Sequence, residues 1–261
     1  MGQRSRQRGL QNMAGPDMTR KKHPRILIGA PTNGTVTAMC MLSIARTMRD
    51  YKGEIEIYHA RSSNLVMNRH EIVANAWEQK AVYIYWVDSD QGFPPFALDW
   101  FLKDKVPVVA ANVTRKSIPP VPCAYIETDD YVGPLYTEEN SEGIQQVKHV
   151  GMALMLTHIS VFNRIAKDPP AFCFEPTEDG LRVMGEDVYF CRQCEKHDIP
   201  IYVDHDVSKQ VVHVGSFGFT TRHALAGRNI KKRMAGGEFE IEFDPEDVAP
   251  LENGKQEQPH A

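Results

Sequence analysis

Ala81-Val82-Tyr83-Ile84-Tyr85-Trp86-Val87 is an unbroken apolar run that closes on Asp88-Ser89-Asp90. A short run rich in aromatic and β-branched residues reads as a buried strand. Gln91-Gly92-Phe93-Pro94-Pro95 follows at once and must leave the sheet. Two carboxylates are thereby presented at the carboxyl end of a central strand, where open α/β sheets place their ligands. Two acids with one residue between them suit a hard divalent cation, and such a cation suits a diphosphate. An acidic pair after a strand also reads as a solvated turn or a helix N-cap. The strand context favours the metal reading and points to sugar-nucleotide chemistry.

The segments around this run alternate in type. Arg25–Pro31 reads as a first strand that ends in a loop holding Asn33-Gly34. Thr37–Tyr51 carries Met41, Ile44, Ala45 and Met48 at helical spacing. Glu54–His59 alternates as a second strand ending near Arg61. Leu65–Gln79 reads as an amphipathic helix with Arg69, His70, Glu71 and Glu78 among its polar positions. Phe96–Lys103 is a short helix begun after Pro94-Pro95, and Pro107–Ala111 a fourth strand. The order β-α-β-α-β-α-β predicts an α/β fold with a mainly parallel, mixed sheet and helices on both faces. The second half is more mixed. Strands are expected at Cys123–Glu127, at Val147–Leu156 with Gly151 in its middle, at Ile201–Val203 and at Val211–Gly215. Helices are expected at Ser160–Ala166 and Asp187–His197.

Composition sets the outer bounds. The 261 residues are 42% hydrophobic and 25% charged, enough for one good core. No Gly/Ser- or Pro-rich linker divides the middle, so a single domain over 24–235 is expected, between a basic tail at 1–23 and an acidic tail at 236–261. Residues 1–25 hold seven Lys/Arg and one acid, while 234–261 hold eight acids and one Lys. Both ends are expected to be flexible. No apolar run approaches ~20 residues, so no transmembrane segment is expected, and the N-terminus lacks a signal-peptide core. The five cysteines, Cys40, Cys123, Cys173, Cys191 and Cys194, suit a reducing cytoplasm better than a disulfide framework. Cys191 and Cys194 lack a second pair at zinc-site spacing and read as packed thiols.

Other candidates are less self-evident. Gly185-Glu186-Asp187 lies at a helix start, where acids suit the macrodipole and where a carboxylate could serve as a general base toward an acceptor hydroxyl. His213, in Val211-Val212-His213-Val214-Gly215, reads either as a structural imidazole or as the completion of a metal sphere begun by the acidic turn. His205, between Asp204 and Asp206, reads as solvated. Arg222, His223, Arg228, Lys231, Lys232 and Arg233 form a basic cluster that is either a solvated helix face or a clamp on phosphate. Neither a P-loop nor a Gly-x-Gly-x-x-Gly fingerprint is present.

Together these pieces resemble the GT-A-fold glycosyltransferases, in particular the compact family-2-like enzymes of bacteria and tailed phages. Ile26–Thr32 looks like the family's first strand and donor loop. Leu65–Val73 resembles its Arg-Asn-x-x-Val helix, with Arg69 matching and His70 standing where Asn is usual. Tyr85–Pro95 matches the Asp-x-Asp strand and its exit, Val150–Phe162 the acceptor-side Gly segment, Gly185-Glu186-Asp187 the Glu-Asp motif, and His213 the late metal-ligand His. The resemblance covers about residues 24–217.

The resemblance implies a GT-A-like, Rossmann-like single domain that transfers sugar from a nucleotide sugar, a UDP-sugar by preference, to an acceptor hydroxyl. Asp88, Asp90 and His213 would hold Mn²⁺ or Mg²⁺ against the donor diphosphate. Pro31, Thr32, Arg61, Arg69, Asp88 and Ser89 would line the donor site. Asp187, with Glu186 beside it, would be catalytic, Asp187 as base in an inverting reaction. The basic segments favour a hydroxylated or hydroxymethylated pyrimidine in phage DNA as acceptor, in the host cytoplasm, since phosphate contacts supply sequence-independent affinity and a duplex base would be flipped. The alternatives are a saccharide or lipid-linked acceptor, a nucleotidyltransferase, for which Pro31-Thr32-Asn33-Gly34 lacks a basic residue, and a non-catalytic module that binds sugar nucleotide or DNA.

Overall fold

The structure is a computed structural model that describes residues 23–117, 120–128, 131–166, 170–177 and 179–215. The basic tail up to residue 22, the 222–233 cluster and the acidic tail lie outside the described residues. The first half runs β1 (Ile26–Thr32), α1 (Ala38–Asp50), β2 (Ile55–Arg61), α2 (Leu65–Glu78), β3 (Tyr83–Val87), β4 (Gln91–Gly92), α3 (Ala97–Asp104) and β5 (Val108–Ala110). Each predicted element appears, to within one or two residues. Local signals set the boundaries. Thr37 caps α1 by accepting from Cys40 N, and Asn64 caps α2 by accepting from Met67 N. Past α3, Lys105 adopts the left-handed conformation at φ 56°.

The second half runs β6 (Tyr125–Thr128), β7 (Tyr131–Pro134), β8 (Ile144–Val147), β9 (Leu154–His158), α4 (Ser160–Ile165), β10 (Glu175–Pro176), β11 (Val183–Met184), α5 (Glu186–Lys196), β12 (Ile201–Asp204), α6 (His205–Ser208) and β13 (Val212–His213). One seven-stranded sheet has the order β2-β1-β3-β9-β5-β12-β8. β1 pairs in parallel with β2 and β3, and β12 with β5. β9 runs antiparallel between β3 and β5, and β8 antiparallel along β12. The sheet is thus mostly parallel in strand direction, and its centre carries a reversed strand that the β-α-β order did not announce.

Strand alternation sorts the core into two layers. Leu27, Ile84, Trp86, Val108, Ala110 and Met155 pack with Ile72 and Val73 of α2, Phe162 of α4 and Phe190 of α5. Ile26, Ile28, Tyr85, Val87, Val109 and Leu156 pack with Cys40 and Ile44 of α1, Phe101 of α3 and Val207 of α6. Helices therefore cover both faces of a single-domain α/β fold. No helix among the described residues is long and apolar enough to cross a membrane.

Five expectations are corrected. Val147–Leu156 is not one strand: β8 ends at Val147, β9 begins at Leu154, and Gly151 lies in the connection. The apolar continuity arises because Val150 and Met152 of that connection are themselves buried. Helix α1 is present, but Met41 and Ala45 face outward, and Cys40, Ser43, Ile44 and Thr47 face inward. Arg69 is a core residue, 1% exposed, and not one of the polar-face positions of α2. His205 is buried, its Nδ1 3.0 Å from Thr137 Oγ1 and its Nε2 3.0 Å from Gln145 Oε1. Asp204 caps α6 and so turns His205 inward. The last strand is also shorter than expected, at two residues.

Candidate functional site

Thr37, at the cap of α1, and Cys40 and Ser43 on its inward face hold the acidic turn. Thr37 N donates to Ser89 O at 2.9 Å, and the Thr37 hydroxyl donates to the same carbonyl at 3.3 Å. Cys40 Sγ donates to Asp88 O at 3.4 Å, and Ser43 Oγ accepts from Phe93 N at 3.0 Å. Burial pushes the Cys40 thiol up to about 11, so it stays protonated and able to donate. Apolar side chains at these positions would leave the turn's backbone groups unpaired.

The turn borders a cavity of about 480 Å³ at the carboxyl ends of β1 and β3. Its walls come from Pro31, Thr32, Asn33, Thr35, Val36 and Thr37, from Ser62, Ser63, Leu65 and Asn68, from Asp88, Ser89 and Asp90, and from Lys116, Val214 and Gly215. Thr32 shapes the wall formed by the loop after β1: its hydroxyl donates to Thr35 O at 2.9 Å and accepts from Gly34 N at 3.0 Å. Gly34 has φ 117°, a conformation that disfavours any side chain. A larger concavity of about 620 Å³ lies along β8 and α5. None of the predicted site residues lines it, and its Lys148 is already paired with Glu127 and Glu195 at 2.6 and 2.5 Å.

Asp88 rests on a buried ionic floor. Arg69 Nη2 lies 3.0 Å from Asp88 Oδ1 and 3.6 Å from Glu186 Oε1. Its guanidinium sits 5.3 Å from the centre of the Trp86 ring. Desolvation raises the Asp88 carboxyl above its ordinary range, the Arg69 charge opposes that rise, and the charges of Asp90 and Asp187 add to it. Burial likewise raises Glu186, again against Arg69.

Asp90 has an outward set of partners. β13 pairs antiparallel with β4, matching His213 to Gln91, and Val214 N donates to Asp90 O at 2.9 Å. This pairing carries His213 Nε2 to 3.3 Å from Asp90 Oδ1, while Lys116 Nζ is ion-paired with Asp90 Oδ2. Desolvation pushes the Asp90 carboxyl up, but hydrogen bonds from His213 and Lys116 outweigh it and hold the group well below its ordinary range. The bond to Asp90 raises His213, against desolvation. His213 Nδ1 lies 2.8 Å from Thr114 O, so Nδ1 carries a proton and donates. In the neutral imidazole the lone pair then sits on Nε2, toward Asp90.

The third group lies at the start of α5. Asp187 Oδ1 accepts from Val188 N at 2.8 Å. A Cβ on Gly185 would come 2.6 Å from Asp187 Oδ1, so the absence of a side chain there leaves room for the Asp187 carboxylate. A Cβ on Gly151 would stand 3.7 Å from Asp187 Oδ2 and 3.2 Å from Cys123 Cβ. Asp187 thus faces the Gly151 connection.

Of the sequence candidates, Pro31, Thr32, Asp88, Ser89 and Asp90 line one cavity, with His213 against Asp90. Arg61 does not line it; the guanidinium packs over Gly34, its Nε 3.2 Å from where a Cβ would be. Arg69 lies behind Asp88, out of reach of the cavity, because it belongs to the buried face of α2. Glu186 is 6% exposed and turned to Arg69, which leaves Asp187 as the more open acid of the pair. Lys116 was missed. It stands in a connection with no periodicity, and no sequence signal marks it. Cys191 and Cys194 are buried free thiols of the α5 core face.

Among the described residues, no three His, Cys, Asp or Glu side chains are grouped so as to hold a metal ion. Asp88 is turned to Arg69, so Asp90 and His213 are the adjacent pair. One carboxylate and one imidazole fit a Mn²⁺- or Mg²⁺-type cation that takes its remaining ligands from phosphate and water. They fit a cation that arrives with a phosphate better than one held by protein alone.

No protein-family model matches the chain, and no curated protein does. Among solved structures, the crystal structure of A197 from STIV overlaps it with a TM-score of 0.48 and 16% sequence identity, covering 75% of this chain and 97% of that one.

Proposed function

We propose that the chain is a metal-dependent glycosyltransferase of the GT-A type, transferring sugar from a UDP-sugar to an acceptor hydroxyl. The observation that carries this reading is the convergence of His213 on Asp90 at the wall of a cavity formed by strand ends. Pro31, Thr32 and the neighbouring backbone would receive the nucleotide. Asp90 and His213 would hold the cation, and Asp88 would stay fixed by Arg69 as a second negative wall. When bound, the cation supplies Lewis-acid relief of charge on the departing nucleoside diphosphate. Asp187 takes the proton of the acceptor hydroxyl as that oxygen attacks the sugar. Glu186 acts through Arg69 as a positioning residue.

The acceptor we propose is a hydroxylated or hydroxymethylated pyrimidine of DNA, on the strength of sequence charge at 4–25 and 222–233. The test is transfer with Mn²⁺ from a panel of UDP-sugars to DNA containing 5-hydroxymethylpyrimidines and to simple glycans. Transfer to the modified DNA, abolished by Asp90→Ala, is the expected result. Transfer to glycans alone discards the DNA acceptor. An Asp187→Asn variant with full turnover removes Asp187 as the base. Silence from every pair, without metal-dependent nucleotide binding, leaves a non-catalytic binding module.

A further inference from the structure

Lys116 is the one basic side chain among the described residues that line the 480 Å³ cavity. It is 43% exposed, and its ammonium is committed to Asp90 Oδ2, the carboxylate that also faces His213. Its stem runs under the chain that leaves β13: a Cβ on Gly215 would come 3.2 Å from Lys116 Cδ. Lys116 therefore occupies ground that a cation at Asp90 and His213 would share. A diphosphate entering the same cavity meets Asp88 and Asp90, and needs positive charge to offset them.

We infer that Lys116 is an exchangeable counter-ion, released from Asp90 when a divalent cation binds there and taken up by the phosphates that enter with it. The inference rests on the donor-site reading above. Each partner then makes room for the other. The cation frees the ammonium, and the phosphates give the freed ammonium new anionic oxygens, with the more mobile point charge of a lysine suited to the exchange. Cation and phosphate are bound as a pair, and each alone is bound weakly. Nothing comparable is available to Arg69, which is buried and held by Asp88 and Glu186.

The test uses the full chain, Mn²⁺ followed by electron paramagnetic resonance, and inorganic pyrophosphate as the second probe. Folding of each variant is checked by its thermal melt. Wild type is expected to bind Mn²⁺ alone weakly and to tighten at least about tenfold with pyrophosphate. Lys116→Met is expected to bind Mn²⁺ alone about fivefold more tightly, having lost the competing cation. It is also expected to lose most of the pyrophosphate tightening, about tenfold, and Lys116→Arg to keep it. Unchanged affinities for both probes in a folded Lys116→Met variant overturn the exchange while leaving the donor site in place. Failure of wild type to bind Mn²⁺ and pyrophosphate even together overturns the donor-site reading, and the exchange with it.

Discussion

The floor beneath Asp88 and the rim around Asp90 are built from the same three-residue turn, yet they are opposite electrostatic environments. Asp88 faces a guanidinium that is 2% exposed, with Glu186 behind it. Asp90 faces a lysine that is 43% exposed and a histidine that is 19% exposed. Burial raises the first carboxyl, and hydrogen-bonding partners depress the second. One residue between two acids does not make them equivalent ligands. The inner acid is part of the scaffold that holds the turn, and the outer acid is the one whose partners are free to change.

This contrast is most exposed at Arg69. Arg69→Met leaves Asp88 and Glu186 facing an apolar layer without a counter-ion, and is expected to cost about 3–5 kcal/mol, measured by denaturant unfolding. Glu186→Gln keeps the Arg69–Asp88 pair and is expected to cost about 1–2 kcal/mol. In a transfer assay it should retain most turnover, whereas Asp187→Asn should lose about 10²–10⁴-fold. Equal losses in the two variants would erase the distinction between the proposed positioning acid and the proposed base.

Asp104 offers a third setting, a half-buried acid beside another acid. Desolvation, then the charge of Asp204 and a hydrogen bond with it, push its carboxyl up to about 7. A group that binds its proton more tightly when folded lowers stability as pH rises, here from the ordinary value of 3.8 to about 7. Wild-type stability should therefore fall across that window through this group, with the loss fully present above it. Asp104→Asn should flatten the slope in melts recorded from pH 4 to 8. The smallest effect on stability is expected at the rim. Asp90→Asn removes a partly exposed pair and should change unfolding free energy by less than about 1 kcal/mol, while Mn²⁺ binding is lost. A large stability loss there would mean that the rim is scaffold as well.

The first half of the chain was legible because burial and periodicity agree there. β1, β3 and the intervening helices carry long apolar patterns, bounded by Thr37, Asn64 and Pro94-Pro95. The face of α1 was not legible, because Cys40 and Ser43 are buried to serve the backbone of the turn and its exit, and hydrophobicity does not register that service. The break between β8 and β9 was hidden because a buried connection is as apolar as a strand. His205 misled because flanking acids suggest water, whereas Asp204 spends its carboxylate on the N-terminus of α6. The exposure of Asp88 and Asp90 at a strand end followed from the apolar run before them, whereas Pro31 and Thr32 were placed beside them by the family resemblance. Lys116 required the three-dimensional path of the connection after β5, and no local pattern encodes that path.

The reversed strand at the middle of the sheet bears on how the chain assembles. β1, β2 and β3 pair with one another as soon as residues 26–87 are available, but β5 finds its neighbours only when β9 and β12 arrive, from residues 154–158 and 201–204. Until then both β3 and β5 present unpaired edges, and the closure that joins them spans long loops, which slows folding. During synthesis the emerging chain should hold a three-stranded half-sheet with an open flank. That flank is the site of pairing errors between nascent copies, and insertion of β9 is the step that removes it.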